Sequence, residues 1–170
     1  MRKVVGMLAM VGMVALTAED REAITRVVIH EAGNEPVIGQ LAVVEVIRNR
    51  VESGGYGEGV NGVVNKRAAF EPVLRHGGNW RNLPPGDDRR RAYVRAILDL
   101  YERGALKDQT GGATHFQNRE IVAKRQNGHL DFGGMPVTAT IGQHTFYAEK
   151  SPQKLQFPPI YSDQSTQFVR

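Results

Sequence analysis

Hydrophobic and polar positions divide the chain into an apolar start, a helical middle and an end of short strands. Within residues 18–32, Ile24, Val27, Val28 and Ala32 recur at helical spacing, which predicts a first helix. Thr17, with Glu19 in the first turn and Asp20 three residues on, is its expected N-cap. Gly33 and Asn34, both tolerant of positive φ, are expected to end it. A second helix should begin near Pro36 or Val37, because proline suits a first turn. Along it Ile38, Leu41, Ala42, Glu45 and Asn49 share one face, while Val43, Val46, Ile47 and Val51 lie opposite. A helix apolar nearly all round belongs at the centre of a domain. Glu45 and Asn49 then approach a core and need partners.

A glycine-rich loop is expected at 53–59, a short helix at 60–65 and an exposed loop at 75–88, where Gly77-Gly78 and Pro84-Pro85-Gly86 fall. Asp87 or Asp88 caps an amphipathic helix closed by Gly104. Its apolar face is expected at Ala92, Tyr93, Ala96, Ile97, Leu100 and Tyr101. Segments 114–117, 138–141 and 144–147 read as short strands. The tail at 150–170 has three prolines and no periodicity, and is expected to lie on the surface or be disordered.

Composition narrows the classes. A chain of 170 residues suits one domain with a real core. The absence of cysteine excludes a disulfide framework, a thiolate metal site and a cysteine nucleophile. The net charge of +4 suits a polyanionic partner: nucleic acid, anionic lipid or a cell-wall polymer. Acidic residues are interspersed with the basic ones, and Arg89-Arg90-Arg91 reads as a solvated helix face. No helix-turn-helix, zinc finger or aromatic-basic sheet motif is visible, so a nucleic-acid partner is not expected. Arg2 and Lys3 precede an uncharged apolar run at 4–16, too short for a comfortable membrane span of roughly 20 residues. Leu16-Thr17-Ala18 is a poor cleavage site, since a large residue stands where a small one is wanted. Three readings are open: an uncleaved export or anchor segment, a cleaved signal peptide, and a segment packed on the domain or a partner.

Candidate chemistry gathers at His30-Glu31-Ala32-Gly33-Asn34-Glu35-Pro36. Glu31 sits at the end of an apolar helical run, at the rim of a core. There its pKa can be raised, so that it serves as a proton donor to a glycosidic oxygen. The negative end of the helix dipole also favours its protonated form. Glu35 follows across a turn, where the N-terminus of helix two stabilises its charge as readily as a catalytic part would explain it. His30-Glu31 invites comparison with the H-E-x-x-H zinc helix, but Asn34 stands at the second histidine position and Gly33 breaks the helix. His115, His129 and His144 could complete such a site from a distance, though their spacing is not diagnostic. These histidines read as structural or sugar-contacting, and no metal or cofactor is expected.

Several motifs occur in a recognisable order: Glu31-Ala32-Gly33-Asn34-Glu35-Pro36, Gly39-Gln40-Leu41-Ala42-Val43, Asn49-Arg50-Val51, Gly62-Val63-Val64 before Phe70, Gly112-Ala113-Thr114-His115-Phe116, and Ile141-Gly142-Gln143-His144-Thr145-Phe146-Tyr147. Together they resemble the SleB-type cell wall hydrolases over residues 24–148. The resemblance implies a lysozyme-like α+β fold, mainly helical, with a small antiparallel β-sheet lining a cleft. It implies cleavage of peptidoglycan glycan strands between N-acetylmuramic acid and N-acetylglucosamine, as a lytic transglycosylase with Glu31 as general acid and base. Gln40, Phe70, His115, Phe116 and Tyr147 are the expected substrate contacts, and Glu35 and Asn49 the supporting residues. Phe116 and Phe146 could equally be core packing, and His144 is expected to be a structural hydrogen-bonding partner.

The chain departs from the family pattern at Gly33, where an arginine is usual, and at Glu71-Pro72-Val73, where a small polar residue and an aromatic are usual. Glu71 is a possible second carboxylate, with a surface position expected. The expected organisation is an apolar N-terminal segment at 1–17, a catalytic domain at 18–150 and a tail at 151–170. The alternatives are a muramidase-type hydrolase, a zinc-dependent amidase, and a non-enzymatic peptidoglycan-binding or phage virion structural protein. The expected setting is the cell envelope or periplasm, the extracellular space or a phage virion, with membrane or virion association through the N-terminal segment.

Overall fold

Thr17 starts the first helix as its spacing predicts. In a computed structural model, which describes residues 15–125, 132 and 134–149, the Thr17 hydroxyl accepts from the Asp20 amide at 3.1 Å and the Asp20 carboxylate accepts from the Thr17 amide. Helix α1 spans Ala18–Ala32 and buries Ile24, Val27, Val28 and Ala32. It ends differently from expectation. Gly33 has φ −64°, in the right-handed region, and the reason for glycine there is space. A Cβ at Gly33 would collide with the Ile29 carbonyl oxygen.

Helix α2 spans Val37–Ser53 with Pro36 at its N-cap position, and a left-handed Gly54 (φ 70°) closes it. It is central, as its all-round hydrophobicity predicts. Leu41, Val43, Val44 and Ile47 join the core shared with α1, while Ala42 and Val46 pack against Ala113 and Phe146 beneath the sheet. Its two buried polar residues find partners. Glu45 Oε2 accepts from the Gln109 amide at 2.9 Å, and Asn49 Nδ2 donates to the Ala113 carbonyl at 2.9 Å.

The described elements continue with α3 (Gly59–Asn65), α4 (Glu71–Arg75), a 3-10 turn (Trp80–Asn82), α5 (Asp88–Glu102), β1 (His115–Asn118), α6 (Arg119–Arg125), β2 (Val137–Ile141) and β3 (His144–Tyr147). The strands form an antiparallel sheet in the order β1-β3-β2. In it His115 pairs with Tyr147 and Phe116 with Phe146.

Two expectations need correction. The segment at 75–88 is not simply exposed: Trp80 and Leu83 are buried in the helical core. The Trp80 indole donates to Asn61 Oδ1 at 2.6 Å and its amide to Asn65 Oδ1 at 2.9 Å, which ties the segment to α3. On α5 the inward stripe is Val94, Ile97 and Leu98, whereas Tyr93 and Leu100 are 44% and 43% exposed. Burial of Val94, Ile97 and Leu98 favours that rotation, and ion pairs to α1 flank the stripe. Arg91 reaches Glu22 at 2.7 Å, and Arg21 of α1 pairs with Asp99 and Glu102. The Glu22 carboxyl is held at about 2, chiefly by its hydrogen bond from Arg91. No helix among the described residues is long and apolar enough to cross a membrane. Residues 4–14 of the apolar run at 4–16 and the tail at 150–170 lie outside the described residues.

Candidate active site

A cleft of about 700 Å³ opens between the end of α1 with α4 on one side and β1 with α6 on the other. Glu31, Arg50, Glu71, His115, Phe116 and His144 are among its lining. Glu31 is the penultimate residue of α1, so the helix delivers it to the cleft with the negative end of the helix dipole behind it. The residue keeps intermediate exposure because the cleft opens on it, while protein surrounds its carboxyl on the other sides. Burial raises that carboxyl to about 7, and the charge of Glu71 pushes the same way. The Arg50 charge and a hydrogen bond from the Glu71 backbone amide oppose the rise without cancelling it. At pH 6 about nine-tenths of such a group carries its proton, and at pH 7 about half does. A carboxyl balanced this way can both give and take a proton near neutrality.

The structure brings some of the expected residues to this cleft and puts others elsewhere. His115 and Phe116 line it. Phe70 is buried beneath it, with its ring 6.4 Å from that of Phe116. Gln40 is buried and donates to the Glu35 carbonyl at 3.2 Å, which fixes the α1–α2 turn. Tyr147 is buried, and its hydroxyl accepts from Gln117 Nε2. Neither Gln40 nor Tyr147 is among the cleft residues. Asn49 does not hold Glu31, because its amide is committed to the Ala113 carbonyl and to Thr110.

Glu35 serves the fold around the site. Its Oε2 accepts from the Gln143 amide at 3.1 Å and its Oε1 lies 3.7 Å from His144 Nδ1. That ties the α1–α2 turn to the β2–β3 hairpin. A Cβ at Gly142 (φ 57°) would collide with this carboxylate, so glycine is required there by both space and handedness. Burial holds the imidazole of His144 below its usual range, so it faces the cleft uncharged at neutral pH.

Glu71 is exposed, as expected, and it also lines the cleft, where its carboxylate pairs with Arg75 at 2.5 Å. Arg50, His30, His76 and Phe132 also line it. Arg50 stands inside the quoted Asn-Arg-Val motif, which was its one signal in the sequence. Among the described residues no three His, Cys, Asp or Glu side chains are grouped to hold a metal ion. His30 instead lies 3.0 Å from the Pro84 carbonyl, and His129 lies outside the described residues.

The Cell Wall Hydrolase family model matches residues 34–147, a span that begins just past Glu31. The chain belongs to the Cell Wall Hydrolase family. Within this family it is of the SleB type. It is 30% identical to a spore cortex-lytic enzyme of Halalkalibacterium halodurans over 75% of its own length and 34% of that protein's. A solved structure of the catalytic domain of the Bacillus cereus SleB protein superposes with a TM-score of 0.57, at 26% identity, over 77% of this cell wall hydrolase and 91% of that domain. The catalytic domain of a germination-specific lytic transglycosylase, SleB of Bacillus anthracis, superposes with a TM-score of 0.57 at 24% identity over 78% and 96%, a likeness of fold. The lysozyme-like α+β architecture is therefore that of SleB catalytic domains. The chain spans 34% to 43% of the length of the curated spore cortex-lytic enzymes it matches.

Proposed function

We propose that this protein cleaves peptidoglycan glycan strands between N-acetylmuramic acid and N-acetylglucosamine as a lytic transglycosylase. The observation that carries the reading is Glu31, a carboxyl facing the cleft whose proton affinity burial has raised to about 7. Glu31 gives its proton to the glycosidic oxygen as the bond from C1 of the muramic sugar to that oxygen breaks. The leaving N-acetylglucosamine departs with that proton on its new hydroxyl. The muramic sugar's own 6-hydroxyl attacks C1, and the Glu31 carboxylate takes its proton. Glu31 ends protonated, and the product carries a 1,6-anhydro ring. No second carboxylate is needed. Family membership and the likeness to a SleB catalytic domain support a wall-polymer substrate. The setting that follows is the cell envelope or the space outside it.

A second reading is favoured by one observation: the Glu71 carboxylate lines the same cleft. Were it to activate water, the enzyme would be a muramidase-type hydrolase. Digestion of purified peptidoglycan by the wild type and Glu31→Gln, with and without EDTA and with products read by mass spectrometry, decides. Anhydro-muramic ends from the wild type alone are the expected result. Reducing-end sugars would replace transglycosylation with hydrolysis. Peptide release that EDTA abolishes would overturn both readings in favour of an amidase. No products from a folded wild type would leave a binding role.

A further inference from the structure

Arg50 has no part in the proton transfer just described, yet it occupies the floor of the same cleft. It projects from α2 and is 5% exposed. Its Nε donates to the Thr114 carbonyl at 2.6 Å, and its Nη1 donates to the Ala69 carbonyl at 3.1 Å. Thr114 leads into β1 and Ala69 lies just ahead of α4, so one guanidinium joins both cleft walls. The group is also enclosed by aromatic faces, 4.8 Å from the Phe70 ring centre and 5.2 Å from that of Tyr56. Ala68, beside one of these carbonyls, has φ 61°, a left-handed conformation that an alanine rarely adopts. The Ala69 amide closes that turn onto the Lys66 carbonyl at 3.0 Å, and the Arg50 bond to the Ala69 carbonyl ties the closed turn to α2. Burial lowers the guanidinium to about 10, so it stays charged across the neutral range and acts on Glu31 across the cleft.

We infer that Arg50 is the positioning residue of this cleft: it holds the α4 wall and the sheet wall at one spacing, and it supplies the positive charge against which Glu31 gives up and regains its proton. The inference rests on the reading of Glu31 as acid and base. Other charged or titratable groups line the same cleft: His30 from α1, Glu71 and Arg75 from α4 with His76 just after it, His115 from β1 and His144 from β3. Of these, Glu71 acts on Glu31 in the opposite sense to Arg50. A lysine can keep the charge of Arg50 but cannot reach two carbonyls with a planar fork. A methionine keeps much of the bulk and loses both.

The test follows the carboxyl-carbon NMR titration of Glu31 together with the pH–rate profile on peptidoglycan, in the full-length wild type, Arg50→Lys and Arg50→Met. In Arg50→Met the Glu31 midpoint is expected to rise by about one pH unit, and the alkaline limb of the rate profile with it. In Arg50→Lys the midpoint should stay within about 0.3 unit. Its kcat should fall about tenfold with KM little changed, because the walls lose their tie. A folded Arg50→Met whose Glu31 titrates as in the wild type overturns the inference. So does an Arg50→Lys of full activity. Should Arg50→Met fail to fold, Arg50→Lys decides by itself: an unmoved midpoint with reduced kcat supports the inference, and a moved midpoint or full activity overturns it. A wild type that makes no product would sink the glycan-cleavage reading, while the NMR titration would still test Arg50.

Discussion

Glu31 and Glu45 are both carboxyls whose proton affinity burial has raised, to about 7 and about 8, yet they sit in opposite kinds of place. Glu45 is sealed inside the fold. Its Oε2 accepts from the Gln109 amide, and it hydrogen bonds to Asp108. Burial works against the Asp108 charge, but amide bonds from Thr110 and Gly112 and the Thr110 hydroxyl outweigh it and hold its pKa down. The proton therefore rests on Glu45 and is donated to Asp108, clamping the loop ahead of β1 onto α2. Glu31 opens onto the cleft, between a charge that favours its proton and one that opposes it. A raised carboxyl pKa is thus a property of burial, and only access to a substrate turns it into chemistry.

The largest effect should come from Glu31→Gln. Turnover of peptidoglycan is expected to drop by about 10³-fold, with a melting temperature at pH 7 no lower than that of the wild type. A variant keeping a tenth of the activity would break the contrast. Glu45→Ala should do the reverse. It leaves Asp108 and the Gln109 amide without their partner and is expected to cost about 2–4 kcal/mol in urea unfolding. Its folded fraction should keep kcat within a few-fold.

The pH dependence sharpens the contrast further. Both folded pKa values lie above the ordinary carboxyl value of 4.5, so the stability these groups contribute is complete below about pH 4.5. It is lost as pH rises through 7 for Glu31 and through 8 for Glu45. Calorimetry from pH 6 to 9 should show the wild-type melting temperature falling by several degrees. Glu45→Gln should flatten the upper part of that fall, and an unchanged slope would remove Glu45 from the account. The smallest effect belongs to Glu71→Gln. Removing that charge should shift the alkaline limb of the rate profile toward acid by about half a pH unit, opposite to Arg50→Met. A shift toward alkali would refute the assignment of the charge.

How far the sequence could be read varied with the range of the forces involved. The Thr17 cap, the central α2 and the three strands follow from spacing within a few residues, and the structure has them within a residue or so of expectation. Helices α4 and α6 carry too few turns to leave a periodic signal. The spacing of Tyr93 and Leu100 mimics an inward stripe on α5, whereas packing against α1 buries Val94, Ile97 and Leu98, with the ion pairs of Arg21 and Arg91 alongside. His115 and Phe116 could be placed at the cleft from their motif. Gln40 and Tyr147 could not be told from buried structural residues, since the same polar atoms serve both uses.

By itself the sequence determined the family, through the order of its motifs, and it offered a candidate acid, a glutamate at the end of an apolar helix. It also determined the local elements, because caps and periodicity act over a turn or two. Only the tertiary structure decided that Arg50 from α2 and Glu71 from α4 would share a cleft with Glu31, and that Glu45 would be closed against Asp108. Desolvation and charge act through space, between groups that the chain brings together from distant positions, and that proximity comes into being only when the core closes.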